Sequence, residues 1–186
     1  MESSAFSITI HMVSSLDGFI AKKDNSVSWF ETTDTYEKGE TEPNPEDFLQ
    51  TIDCYVMGAK TYELALELSK SYGWAYGDKP TIVITNRNLP NERANIEFYA
   101  GNLKELVKKR LQPNYKNVWV VGGAILVKDF IRQKLANEIR VSVLPILLGD
   151  GVPFFDHIGV EQALHLKEVI AFKSGMVELC YEIKKA

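Results

Sequence analysis

The sequence predicts an α/β fold with a mainly parallel central sheet, helices on both faces and a C-terminal antiparallel hairpin. Three observations predict it. The apolar run Val118-Trp119-Val120-Val121 drives into Gly122-Gly123, and a helical pattern follows with Ile125, Leu126, Phe130, Ile131 and Leu135. Cys54-Tyr55-Val56-Met57 repeats the arrangement, leading through Gly58 into a helix carrying Tyr62, Leu64, Ala65 and Leu68. At the far end, residues 164–172 and 176–183 flank Lys173-Ser174-Gly175 as two strands of a hairpin.

The remaining elements follow in order. Residues 6–13 read as the first strand and 14–31 as a loop. Residues 32–42 are polar without a clear period. Asn44-Pro45-Glu46-Asp47 starts a helix: a capping side chain, proline at the first helical position, then acids in the first turn. Phe48, Leu49 and Ile52 give that helix its apolar side. Thr81-Ile82-Val83-Ile84 is a strand ending in Thr85-Asn86-Arg87-Asn88, and 96–99 is a further short strand. Asn102 and Glu105 form a capping box ahead of Leu103, Leu106, Val107 and Leu111. Residues 140–148 read as a strand interrupted at Pro145, which implies an edge or a bulge, and Gly149-Asp150-Gly151 as a turn.

Composition narrows the function. A chain of 186 residues, 45% hydrophobic and 25% charged, suits one globular domain with a sizeable core. A net charge of -4 gives no electrostatic case for nucleic acid. No apolar run approaches transmembrane length and no secretory leader is evident, so a cytoplasmic location is expected and no membrane partner. Cys54 and Cys180 sit inside strands and read as buried thiols. His11, His157 and His165 are scattered, without metal-ligand spacing, and no metal is expected.

The chemistry concentrates at strand ends. A helix that starts at glycine presents bare amides and the positive end of its dipole, which favour a phosphate. Glycine also lets a ligand approach the backbone where a Cβ would obstruct it. Two such junctions, with Lys60 and Thr61 beside one, and a third polar strand end at 85–88 suggest a ligand with several phosphates. Neither G-x-G-x-x-G nor the P-loop pattern is present.

These motifs carry a resemblance. Ser15-Leu16-Asp17-Gly18 with Ile20-Ala21, Trp29, the segment 57–62, Thr85-Asn86-Arg87-Asn88, Val121-Gly122-Gly123-Ala124 and the segment 148–155 occur in order along nearly the whole chain. In them the chain resembles the dihydrofolate reductase superfamily, in particular the branch related to the C-terminal reductase domain of riboflavin biosynthesis. The resemblance implies a dihydrofolate reductase-like fold and an NADPH-dependent oxidoreductase. Ile20 and Ala21 would meet the nicotinamide end; Gly58, Lys60 and Thr61 would hold phosphate. Thr85, Asn86 and Arg87 would meet the adenosine 2′-phosphate, and Gly122, Gly123, Ala124 and Ile125 the pyrophosphate. Hydride would pass to a C=N bond of a pterin-like or aminopyrimidine small molecule, as in 5-amino-6-(5-phosphoribosylamino)uracil reductases. True dihydrofolate reductase and a nucleotide-binding protein without turnover are the rival readings. Riboflavin-type relatives are commonly dimers, which allows a homodimer here.

The substrate side departs from both classical patterns. Gly77-Asp78-Lys79-Pro80 lacks the arginine that holds the folate tail, and no arginine is expected near the first helix for a ribose phosphate. Asp17, Glu46 and Asp47 are the candidate catalytic acids. Asp17 reads equally as a turn-forming side chain, and the other two as helix N-terminal acids. Trp29 and Phe48 are the candidate substrate contacts, with Trp29 also readable as a core residue. Arg87 reads either as a phosphate ligand or as a solvated cation. The 14–29 loop, polar at its tip and apolar at its ends, suits a lid over the nicotinamide or a static cover of the core.

Overall fold

The structure is a computed structural model that describes residues 6–31 and 34–185. Ten strands and five α-helical segments are recognised among them: β1 Ser7–Ser15, β2 Phe19–Ala21, α1 Pro45–Gln50, β3 Cys54–Gly58, α2 Ala59–Tyr72, β4 Thr81–Ile84, β5 Ile96–Tyr99, α3 Leu103–Leu106, α4 Gln112–Asn114, β6 Asn117–Gly122, α5 Ala124–Arg132, β7 Glu138–Leu144, β8 Val152–Pro153, β9 Leu164–Ala171 and β10 Val177–Ile183. A π-turn, Val107–Leu111, joins α3 to α4. Eight strands form one sheet in the order β5-β4-β3-β6-β1-β7-β10-β9. The pairs from β5 to β7 are parallel, and β10 pairs antiparallel with both β7 and β9. The predicted fold class is therefore the observed one.

Strand alternation explains the two cores. Cys54 and Val56, Ile82, Val118 and Val120 point to one face, where they pack with Leu103, Leu106, Leu126 and Phe130 of the helices there. Tyr55, Met57, Val83, Trp119 and Val121 point to the other, against Phe48, Leu49, Tyr62 and Leu66 of α1 and α2. Asn44 caps α1 as its sequence predicts, accepting the Glu46 amide at 3.0 Å. Asn102 caps α3 through the Lys104 and Glu105 amides at 2.8 and 3.3 Å.

Four expectations need correction. β1 runs on to Ser15, because the Ser14 and Ser15 hydroxyls find partners in the Ser15 carbonyl and the Asp17 carboxylate and can be buried. The 14–31 segment is not all loop: β2 pairs antiparallel with β8, and Ser28–Phe30 is a 3-10 turn. β7 stops at Leu144 because it lies between β1 and β10, where the missing N–H of Pro145 cannot continue a ladder. In α5, Leu126, Val127, Phe130 and Ile131 form the buried stripe, whereas Ile125 lies on the opposite side and is 65% exposed. Of the polar 32–42 segment, residues 32 and 33 lie outside the described residues; Glu40 bridges to Phe172. No helix is long and apolar enough to cross a membrane among the described residues.

Candidate active site

The two glycine junctions meet. β3 and β6 are neighbours, and a register shift sets Met57 opposite Gly122. A Cβ on Gly58 would lie 3.7 Å from the Gly122 carbonyl oxygen, and one on Gly123 3.5 Å from Thr61 Oγ1. Gly58 and Gly123 are the N-cap residues of α2 and α5, and neither supplies a side-chain cap. Two helix N-termini with uncapped amides thus converge at the carboxyl ends of adjacent parallel strands, with Lys60 exposed in the first turn of α2. The cradle suits a pyrophosphate: Gly58 and Gly123 bring bare backbone to its floor, with no side chain of their own in the way. Gly122 has φ +118°, a conformation that disfavours other residues, and a Cβ there would lie 2.7 Å from Met12 Cε. The Gly122–Gly123 peptide is cis.

The third strand end joins the same side. Thr85, Asn86 and Arg87 follow β4, the neighbour of β3, and Thr85 Oγ1 accepts the Arg87 amide at 3.0 Å. The Arg87 guanidinium is paired with Glu63 of α2, Nη1 to Oε2 at 3.1 Å and Nη2 to Oε1 at 2.5 Å. This pairing holds the Glu63 carboxyl below its ordinary range and the Arg87 guanidinium above its own.

Ile20 and Ala21 lie in β2, which packs beside β1. Ile20 packs against the main core and Ala21 is buried. Gly151 makes the approach of β8 possible, since a Cβ there would sit 2.3 Å from the Ala21 carbonyl oxygen. Asp17 braces this corner. One of its oxygens accepts the Ser15 hydroxyl at 2.6 Å and the Leu148 amide at 3.1 Å; the other accepts the Gly149 amide at 2.7 Å. The Ser15 hydroxyl first, and the two amides after it, hold the carboxyl below its usual range. These bonds favour the ionised carboxylate and make Asp17 a brace, which fits the turn-forming reading.

Glu46 and Asp47 lie on α1. Both are exposed in the first turn of α1, where the helix dipole accounts for them. Phe48 and Leu49 are the α1 side chains that pack on the sheet, and Phe48 lies edge-on to His11 at 5.1 Å and to Trp119 at 5.4 Å between ring centroids. Trp29 is buried with its Nε1 unpartnered, and its ring packs edge-on to Phe30.

The sequence missed a polar cluster on the α1 face. His11 of β1 stacks on Trp119 at 5.1 Å, with its Nε2 3.1 Å from Ser142 Oγ of β7. The Ser142 hydroxyl donates to Glu178 of β10 at 3.3 Å, and Glu178 in turn pairs with Arg140. Because the single Ser142 proton goes to Glu178, Ser142 accepts from His11 Nε2–H, which leaves Nδ1 as a buried acceptor with no partner. Burial first, and the Arg140 charge second, push the His11 pKa down to about 3. The Glu178 carboxylate, 3.6 Å from Nε2, would pull the other way, but Arg140 already neutralises it. Arg140 also lines a cavity of about 190 Å³ with Phe48, Thr51, Ile52 and Trp119, so an arginine does reach the first-helix side. Alternation along β1 places His11 on this face beside Thr9; its polar partners, Ser142 and Glu178, come from 131 and more residues away and leave no local signal.

The family model described as the RibD C-terminal domain matches residues 59–178. The chain belongs to the RibD C-terminal domain family. Like it, the uncharacterized protein YwjB of Bacillus subtilis strain 168 is 33% identical over 172 residues, 92% of this chain and 95% of that protein. A crystal structure from Shewanella sp. PV-4, described as a riboflavin biosynthesis protein, superposes with a TM-score of 0.81 at 21% identity, covering 97% of this chain and all of that one. Dihydrofolate reductase from Enterococcus faecalis, complexed with NADP(H), superposes with a TM-score of 0.59 at 16% identity, covering 96% and 97%. Membership of the RibD C-terminal domain family supports a reductase of that family, and the solved structures show a dihydrofolate reductase-like fold.

Proposed function

We propose that this chain is an NADPH-dependent reductase that transfers hydride to a C=N bond of an aminopyrimidine or pterin-like substrate. The observation that carries the reading is the meeting of two uncapped helix N-termini at Gly58 and Gly122–Gly123. Gly58, Lys60, Thr61, Gly122, Gly123 and Ala124 would hold the cofactor's pyrophosphate, with Ile125 at the exposed rim. Thr85, Asn86 and Arg87 would receive the 2′-phosphate, and Ile20 and Ala21 would border the nicotinamide. When bound, the cofactor supplies the hydride. Phe48 and Trp119 offer flat apolar surfaces to a substrate ring, and His11 Nδ1 is an acceptor suited to a ring N–H.

The folate reading is weaker on a specific ground. Lys79, the cation of the segment before β4, is spent on the Gln50 and Ile52 carbonyls at 3.2 and 2.5 Å. A glutamate tail would find no free partner there, so methotrexate-type antifolates should bind weakly.

Titration with NADPH and NADH tests the cofactor assignment. Arg87→Ala should weaken NADPH roughly tenfold or more, the scale of one charge-assisted contact, and leave NADH nearly unchanged. Equal losses for both would sink the 2′-phosphate role. NADPH oxidation with a panel of aminopyrimidines and pterins separates a reductase from a nucleotide-binding protein without turnover.

A further inference from the structure

We infer that Glu63 is a specificity-determining residue that works against Arg87: in the free protein its carboxylate occupies the guanidinium that would bind the 2′-phosphate, and so narrows the preference for NADPH over NADH. The inference rests on the cofactor reading above. Both outer nitrogens of Arg87 lie on the two Glu63 oxygens, at 3.1 and 2.5 Å, a fork-on-fork geometry like the one a phosphate would use. A 2′-phosphate must displace the carboxylate or share the guanidinium with it, and the two anions repel. Glu63 is not needed to place Arg87, because the Thr85 hydroxyl already fixes the Arg87 backbone amide at 3.0 Å. The pair is accessible to solvent, with side-chain exposures of 57% and 41%, so exchange of one anion for another needs no unpacking. A cofactor without the 2′-phosphate leaves the pair intact and is bound without that cost. The charges facing Glu63 are Arg87 and the more distant Lys60, so a displaced carboxylate still has a cation nearby.

The test uses fragments of the adenosine end, 2′,5′-ADP and 5′-AMP, alongside NADPH and NADH, with binding measured by calorimetry. Glu63→Gln keeps the side-chain shape and removes the charge. It should tighten 2′,5′-ADP and NADPH about three- to fivefold, as expected of an exposed ion pair. Binding of 5′-AMP and NADH should stay within about twofold. In an Arg87→Ala background the same substitution should have no effect, and the gain should shrink at high salt. Unchanged or weaker 2′,5′-ADP binding in Glu63→Gln, while Arg87→Ala still costs affinity, would overturn the role of Glu63 alone. If Arg87→Ala leaves 2′,5′-ADP untouched, the 2′-phosphate reading itself fails and takes this inference with it.

Discussion

Asp17 holds the Gly149 amide at 2.7 Å across 132 residues of sequence and thereby fixes the corner where β1 ends against the turn after β7. Its carboxyl is held below the ordinary value of 3.8, so its contribution to stability is present above that pH. The contribution is lost as pH falls below 3.8 through the lowered value. Asp17→Asn should flatten this acid limb in pH-dependent melts and lower the melting temperature at neutral pH, because an amide group would face backbone donors. A melting curve that matches the parent at both pH values would remove the brace.

The adjacent glycines should fail differently. Gly122→Ala forces a side chain into positive φ and against Met12, and should cost about 1–3 kcal/mol of stability. Gly123 has φ -80° and ψ -165°, extended backbone that valine adopts, and its Cβ direction is open except for Thr61. Gly123→Val should therefore keep stability within about 1 kcal/mol and lose NADPH binding. A Gly123→Val protein that binds the cofactor normally would take the pair out of the site.

His11 should make the fold sensitive to mild acid. Its pKa falls from 6.5 to about 3, so between those values the unfolded chain binds a proton that the folded chain refuses. Stability then rises with pH across that window, by about 2 kcal/mol between pH 5 and pH 7 from this group. Urea unfolding of the His11→Gln protein should show that slope removed. An unaltered slope would mean that the imidazole charges inside the fold.

The piece of the 14–29 segment without strand pairing or a buried aromatic is the turn at 22–26, closed by the Lys22 amide on the Ser26 carbonyl at 3.0 Å. Lys23 ties this turn to Asp150 through an exposed ion pair. Deleting residues 23–26 should preserve cofactor affinity and melting temperature and slow the hydride step in single-turnover stopped flow. If the rate is unchanged, the turn is not a catalytic lid.

The fold was readable because its signals are local. Gly58 and Gly122–Gly123 sit between an apolar run and a helical period, and Asn44-Pro45 announces a helix start in adjacent residues. The same locality made the two glycine junctions readable, and they meet in the structure. The polar cluster on the α1 face was not readable, because its groups meet through sheet register. His11 faces Ser142 and Glu178 only because β1 pairs with β7 and β7 with β10. Glu46 and Asp47 stand in the first turn of α1, where the helix dipole favours an acid with or without a substrate. Arg140 looked remote from α1 until parallel pairing set it beside His11.

β1 is translated first of the strands yet lies between β6 and β7, with β6 more than 100 residues further along. It cannot be seated between its partners until β6 and β7 have been made. β2 waits longer still, for its partner β8. Such long-range pairing slows folding and leaves an apolar strand, Ile8 and Ile10 included, without neighbours during synthesis. The corner at Ile20 and Ala21 thus assembles after the glycine junction of β3 and β6, and a nascent chain stalled before β8 would carry that junction without the strand that closes over β1.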